Sequence, residues 1–200
     1  RPLLDWSMKS IHAARINDVV IVTGYKGDKI KIHDDFKPDR LTIIQNSDYA
    51  STNMVYSLWL ARHELNDDVI ISYADIVYDP DVLITLIKNK SDISVVVDRD
   101  WQPYWEDRFY DPLSDAESLK LDETGEIISI GQNVSRIEDI AGQYIGLLKF
   151  SGNGLRTLKI LLDSYGISSE TEQTFRRMYM TDLLQGLISS GISIQPHWID

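Results

Sequence analysis

The segment DVIISYADIVYDPDVLITLIKNKSDISVVVD, residues 68–98, decides the fold. Residues 68–79 begin as an apolar β-branched run and pass into a turn. Asp79 and Pro80 form a cap and first-turn pair, so 79–90 reads as a helix. DISVVVD, 92–98, is a second run apolar on both faces. Upstream, the same alternation repeats. Leu3, Leu4, Met8, Ile11 and Ala14 are at helical spacing. DVVIVTGY (18–25) is a strand closed by Gly24, and LTIIQN (41–46) is another. STNMVYSLWLARHEL (51–65) is a helix with Ser51 or Thr52 as N-cap and an apolar stripe of Val55, Leu58, Trp59 and Leu65. Strand–helix alternation with apolar strands predicts a mostly parallel, doubly wound α/β sheet with helices on both faces.

The pattern changes downstream. Residues 99–118 are rich in aromatics, carboxylates and proline. SLKLDETGEIISIG (118–131) reads as a hairpin turning at Thr124 and Gly125. GQYIGLLKF (142–150) is a strand, 155–166 and 179–191 are helices, and GISIQPHW (191–198) is a final strand. The chain is therefore expected to be one domain over 1–200, with a partly antiparallel insertion at about 99–142.

Composition removes several function classes. The 200 residues contain no cysteine, which excludes a thiol nucleophile and cysteine-ligated metal. Twenty basic against 31 acidic residues give a net charge of −11, and nucleic acid needs a basic face. No apolar run approaches the roughly 18–20 residues of a membrane span. The N-terminal RPLLDWSMKSIHAAR is amphipathic and unlike a signal peptide, so the default expectation is a cytoplasmic protein. His12, His33, His63 and His197 lack metal-ligand spacing, and HEL at 63–65 meets Asp67 where HExxH needs histidine. No P-loop, GxGxxG or GxSxG is present.

Ligands of doubly wound sheets bind at the carboxyl ends of the strands. TGYKG (23–27), QNSDYASTN (45–53) and SYADIVYD (72–79) fall there. Asp75, after a strand and before a turn, is placed either as a turn former or as a Mg²⁺ ligand. Thr52 and Asn53 either cap the next helix or read a base edge or an anion. RDWQPYWEDRFYDPLSDAE (99–117) sets Trp101, Tyr104, Trp105, Phe109 and Tyr110 among six acidic residues. Aromatic faces with carboxylates suit an ammonium group, and Arg108 suits a phosphate or phosphonate. Trp101 and Trp105 are four apart and, on a helix, would wall one ligand between them. The competing reading makes the same rings a flap packed on the sheet.

The order RPLLDW, DVVIVTGY, NSDYASTNMVYSLWLA, DVIISYADIVYDPDVL, DPLSDAE, GQYIGLLKF and MTDLLQGLISSG resembles the nucleotidyltransferases of the sugar-phosphate and phosphocholine type. TNMVYSL and ISYADIVYDP look closest to the phosphocholine cytidylyltransferase-like branch, which includes aminoethylphosphonate cytidylyltransferases. The resemblance covers nearly the whole chain. It implies a Rossmann-like mixed sheet and Mg²⁺-dependent attack of a phosphate or phosphonate oxygen on the α-phosphorus of a nucleoside triphosphate, releasing pyrophosphate. The implied partners are that triphosphate, CTP by the resemblance, and a small acceptor such as phosphocholine or aminoethylphosphonate, with neither nucleic acid nor membrane.

The resemblance also implies residue roles. Asp75 matches the metal-binding catalytic aspartate, and Thr52, Asn53 and Tyr73 lie with it in nucleotide-binding segments. Gly131, Gln143, Tyr144 and Gly146 lie where the family contacts the acceptor, and Trp101, Trp105, Arg108, Asp111 and Asp115 join them as substrate-binding candidates. Gln143 stands where sugar-phosphate enzymes often carry glutamate, which weakens a hexose reading. The family's G-x-G-x-R loop with its P-K precedes the RPLLDW segment, ahead of Arg1, and its tryptophan-then-aspartate metal motif falls at or just past Asp200. The 200 residues alone are therefore expected to lack transferase activity. A sugar-1-phosphate nucleotidyltransferase and a non-catalytic module that keeps the fold are the two alternatives.

Overall fold

Alternating helical and β-branched segments fold, in chain order, as α1 (Leu3–Ala13), β1 (Asp18–Thr23), β2 (Arg40–Gln45), α2 (Met54–Leu60), β3 (Val69–Ser72), α3 (Pro80–Lys88), β4 (Ile93–Asp98), α4 (Trp101–Arg108), β5 (Glu117–Leu121), β6 (Ile127–Asn133), β7 (Gln143–Phe150), α5 (Gly152–Ser164), α6 (Ser169–Arg176), α7 (Met180–Ser189) and β8 (Gln195–Ile199). The structure, a computed structural model, describes residues 2–165 and 169–200.

β4 shows why the layers form. Its side chains alternate faces at every residue. Ile93, Val95 and Val97 enter one core, with Leu148, Leu158, Leu183 and Leu184. Val96 enters the opposite core, with Leu83, Leu86 and Leu147. A strand apolar on both sides has to be covered on both sides. Here α1 and α3 cover one face, and α2, α5 and α7 cover the other. Each fully buried leucine or valine contributes about 1.5–3 kcal/mol relative to exposure. β7 carries the same alternation, and its face toward α3 includes the buried Lys149. The ammonium donates to the carbonyls of Ile87 at 3.5 Å and Asn89 at 2.5 Å, at the helix end where the macrodipole favours a cation.

Four strands form a sheet in the order β3-β7-β4-β8, while β1 pairs with β2 and β5 with β6. The mixed α/β architecture with helices on both faces is the one expected. Its pairing is more evenly divided than a mostly parallel sheet. β1–β2 and β4–β8 are parallel, but β7 runs antiparallel between β3 and β4. The chain between β4 and β7 makes the β5–β6 hairpin instead of a single crossover helix, and so returns in the opposite sense. The hairpin turn is where the sequence puts it, with Gly125 at φ +85.

Two boundaries differ from the sequence reading. The segment 51–65 is helical only over Met54–Leu60, with Asn53 at the N-cap in place of Ser51 or Thr52. Hydrogen bonds of the preceding loop occupy the side chains that would otherwise cap. The strand in 68–79 ends at Ser72, because the chain is then drawn across the sheet edge toward α1. Asp79 caps α3 as expected, accepting from Asp81 N at 3.0 Å.

Candidate active site

The carboxyl ends of β3, β4 and β8 and the amino end of β7 share one sheet edge, since β7 is reversed. Asp75 stands there in a turn after β3, exposed to solvent. Its loop is held from α1. Ser10 Oγ donates to Tyr78 O at 2.8 Å, and Ser7 Oγ donates to Ile76 O at 3.3 Å. Tyr78 is itself buried, with its hydroxyl 3.3 Å from Ser72 Oγ. Among the described residues the Asp75 carboxylate has no ion pair and no hydrogen bond, so both oxygens are open to a cation.

Tyr73 and Tyr144 meet edge to face beside it, ring centres 5.9 Å apart. Tyr73 N donates to Gly146 O at 2.8 Å. Burial pushes the Tyr73 phenol up to about 12, with the negative charges of Glu117 and Asp75 adding to the effect. Burial drives Tyr144 well above the ordinary tyrosine value, and the neighbouring Tyr73 phenol, whose hydroxyl faces it, raises it further. Gln143 is buried and its amide ties β7 to β5, donating to Glu117 O at 2.9 Å. Its role in this structure is to fix the site wall. Gly146, at φ +86, lets the Tyr73 ring lie on the strand, for a Cβ would stand 2.5 Å from Tyr73 Cδ2. Gly146→Ala is expected to destabilise by about 1–3 kcal/mol through backbone strain, before any cost of moving the ring. Chemical denaturation measures this, and an unchanged midpoint would contradict the role given to the glycine.

The 46–53 loop is built around buried Asn46. Asn46 Nδ2 donates to Thr52 Oγ1 at 3.0 Å and Ser57 Oγ at 3.2 Å. Thr52 Oγ1 donates in turn to Asp48 O at 3.0 Å. Asn53 Nδ2 donates to Arg177 O at 2.9 Å, and Arg176 pairs with Asp48 at 2.5 Å. Thr52 therefore closes the loop on itself, while Asn53 and Asp48 hold it to Arg177 and Arg176.

The aromatic segment divides. Trp101 is 3 % exposed and forms a small core with Ala116 and Ile140. It packs edge to face on Trp105 at 5.8 Å. The pair of indole walls expected from their spacing is corrected here: one indole is a core plug. The cation place is filled internally as well, since the Arg108 guanidinium lies over Tyr104 at 5.1 Å and Trp105 at 5.6 Å. Trp105 Nε1 donates to Asp115 at 3.1 Å, and Asp111 caps a short turn by accepting from Leu113 N at 3.0 Å. β8 brings Asp200 to the same edge as Asp75, where Arg99 pairs with it at 3.6 Å.

Sequence reasoning placed Glu117 only among the acidic residues of the aromatic segment that would favour a cation, and missed Asp182 and Arg177. Burial raises the Glu117 carboxyl above its ordinary value although the residue reaches solvent, and the charges of Asp182 and Asp115 raise it further. Asp182 lies at the start of α7 and lines an open surface groove with Gln173, Thr174, Arg177, Met178 and Tyr179. The available signal was Arg176-Arg177 in an acidic chain, immediately before a helix. No group of three or more metal-ligating side chains occurs among the described residues.

No protein-family model matches the sequence. The chain is 34 % identical over 215 aligned residues to the CTP:phosphoglutamine cytidylyltransferase of Campylobacter jejuni, an alignment covering all of this chain and 83 % of that protein. The chain belongs to the cytidylyltransferase family. It is thus a nucleotidyltransferase. The choline-phosphate cytidylyltransferase of Haemophilus influenzae is 29 % identical over 109 residues, 51 % of this chain and 44 % of that protein. The inositol-1-phosphate CTP transferase of T. maritima shares the fold, with a TM-score of 0.68 at 13 % identity over 98 % of this chain and 72 % of that one. No helix among the described residues is long and apolar enough to cross a membrane.

Proposed function

We propose that the protein transfers CMP from CTP to a small acceptor bearing a phosphate or phosphonate. An acceptor oxygen attacks the α-phosphorus, the bond to the β-phosphate oxygen breaks, and pyrophosphate leaves with the electron pair. One observation carries the site assignment: the Asp75 carboxylate, exposed and without an ion pair or hydrogen bond among the described residues, lies on the sheet edge where Tyr73 meets Tyr144. Mg²⁺ fits Asp75, because it takes one or two protein carboxylates and fills its other positions with phosphate oxygens and water. Bound there it would neutralise phosphate charge. The chain's own part is positioning: α1 fixes the Asp75 loop, and Tyr73, Tyr144 and Gln143 wall the acceptor side.

Glu117, Asp115 and Asp182 give that side a negative field suited to an acceptor with an amine. The phosphoglutamine and choline-phosphate acceptors in the names of the two relatives support a small, cation-bearing phosphate. The test incubates the full-length protein and Mg²⁺ with each of the four nucleoside triphosphates and phosphoglutamine, phosphocholine, aminoethylphosphonate or inositol-1-phosphate. Pyrophosphate release confined to CTP with an amine-bearing acceptor supports the reading. Release with inositol-1-phosphate as the best acceptor would replace the acceptor class.

A further inference from the structure

We infer that Tyr78 is a positioning residue for the cation at Asp75: through Ser72, its hydroxyl fastens the two ends of the Asp75 loop together and so sets how tightly the carboxylate holds Mg²⁺. This rests on the transferase reading above, which places Mg²⁺ at Asp75, and adds the part that prepares the ligand. The segment between β3 and α3 has no ladder of its own. The amides of residues 74–78 donate to no backbone carbonyl among the described residues. Such a loop takes its shape from side chains, and here only two of its residues beyond Tyr73 are withdrawn from solvent. Ala74, Asp75 and Val77 are exposed, Ile76 is half-buried and Tyr78 is 8 % exposed.

Tyr78 supplies the fastening. Its ring belongs to the core of Leu83, Leu86, Val96 and Leu147, so it is fixed independently of the loop apex. From there its hydroxyl reaches back to Ser72 Oγ at 3.3 Å, across the mouth of the loop. Ser72 Oγ spends its one proton on Tyr73 O at 2.9 Å. The Tyr78 hydroxyl is therefore the donor, and a relay from Tyr78 to Ser72 to Tyr73 O joins the last residue of the loop to the first. The Ser7 and Ser10 hydroxyls hold the same loop to α1 by the carbonyls of Ile76 and Tyr78. Those bonds keep the loop on the molecule, whereas the relay joins its two ends. No hydrogen bond among the described residues orients the Asp75 carboxylate, so its direction is set by the backbone that carries it. Mg²⁺ demands near-ideal octahedral geometry. A carboxylate on a slack loop would lose its freedom only on binding, which weakens the metal.

The experiment titrates Mn²⁺, followed by electron paramagnetic resonance, into the full-length protein saturated with α,β-methylene-CTP, which cannot be cleaved. Tyr78→Phe and Ser72→Ala should each weaken protein-bound Mn²⁺ by about 3- to 10-fold, the worth of one neutral hydrogen bond. The double variant should lose no more than the larger single loss, since both changes cut one relay. Ser72→Thr keeps a hydroxyl and should stay near the parent. With CTP and an acceptor, the Mg²⁺ concentration for half-maximal pyrophosphate release should rise by the same factor in Tyr78→Phe. A merely structural tyrosine gives another pattern, a lower melting temperature with Mn²⁺ affinity unchanged. That pattern, or additive losses in the double variant, would overturn the inference. Asp75→Asn separates it from the reading beneath. If Asp75→Asn weakens Mn²⁺ and the relay variants do not, the inference falls and the metal assignment stands. If Asp75→Asn leaves the affinity intact, the cation sits elsewhere and both fall. Absence of transfer to any acceptor removes the reaction alone, because the affinities are read without turnover and still decide the relay.

Discussion

Replacing Asp75 by asparagine in the full-length enzyme is expected to lower kcat by 10²-fold or more, in the order of magnitude typical of removing one preorganised electrostatic group. The side chain is exposed and unbonded among the described residues, so the change leaves no buried group unsatisfied. The loop is held by Ser7, Ser10 and Tyr78, none of which contacts the Asp75 carboxylate. The melting temperature should therefore stay near that of the parent while turnover collapses. Raising Mg²⁺ should recover part of the lost rate if asparagine still coordinates weakly. Near-normal turnover at ordinary Mg²⁺ would move the cation to another carboxylate on the edge, with Asp200 the first to try.

Trp101→Ala should have the largest effect on stability, a loss of about 3–5 kcal/mol, as for other large-to-small changes in cores. Trp101 is 3 % exposed, and its neighbours are held in place, Ile140 by its bridge to Leu119 and Ala116 by its N–H on Pro112 O at 3.0 Å, so neither fills the void. Trp105→Leu should cost much less, because that ring is only part-buried and loses chiefly its bond to Asp115. Denaturant titration of the two variants side by side gives the comparison. Equal losses would mean that both tryptophans belong to one core. A selective rise in acceptor KM for Trp101→Ala, with stability unchanged, would restore the ligand-wall reading.

Those two tryptophans show where sequence reading stops. Spacing places Trp101 and Trp105 on one helix, and α4 is there. Spacing does not say which side of a short helix meets Ala116 and the turn at Ile140, and that contact buries one ring and leaves the other part-exposed. The strands were legible because Ile93–Asp98 is apolar at every position but two, a pattern that only a strand covered on both faces supports. The direction of β7 was not legible, because antiparallel and parallel central strands have the same apolar composition. That Asp75 stands in a turn after a strand was legible. Thr52 was misjudged in detail, since its partner Asn46 lies six residues away and hydrogen bonds of this kind leave no periodic trace. Arg177 and Asp182 line one groove, and the Asp182 charge reaches Glu117, only through the packing around α7 and the β5–β6 hairpin.

The reversed β7 also governs how the molecule can come into being. β3 and β4 share no hydrogen bonds in this structure, and each is joined to β7. A chain emerging from the ribosome therefore completes β3 and β4 with no partner for either edge until residues 143–150 arrive. Until then the central layer lacks its middle strand, and Val95, Val96 and Val97 have nothing to pair with on that side. Such non-local pairing slows folding and exposes apolar strand edges to other chains. Nascent chains stopped before residue 143 should accordingly be protease-sensitive along β3 and β4, and chains carried through Phe150 should begin to resist. Protection in the shorter chains would mean that β3 and β4 first find each other and are later prised apart by β7.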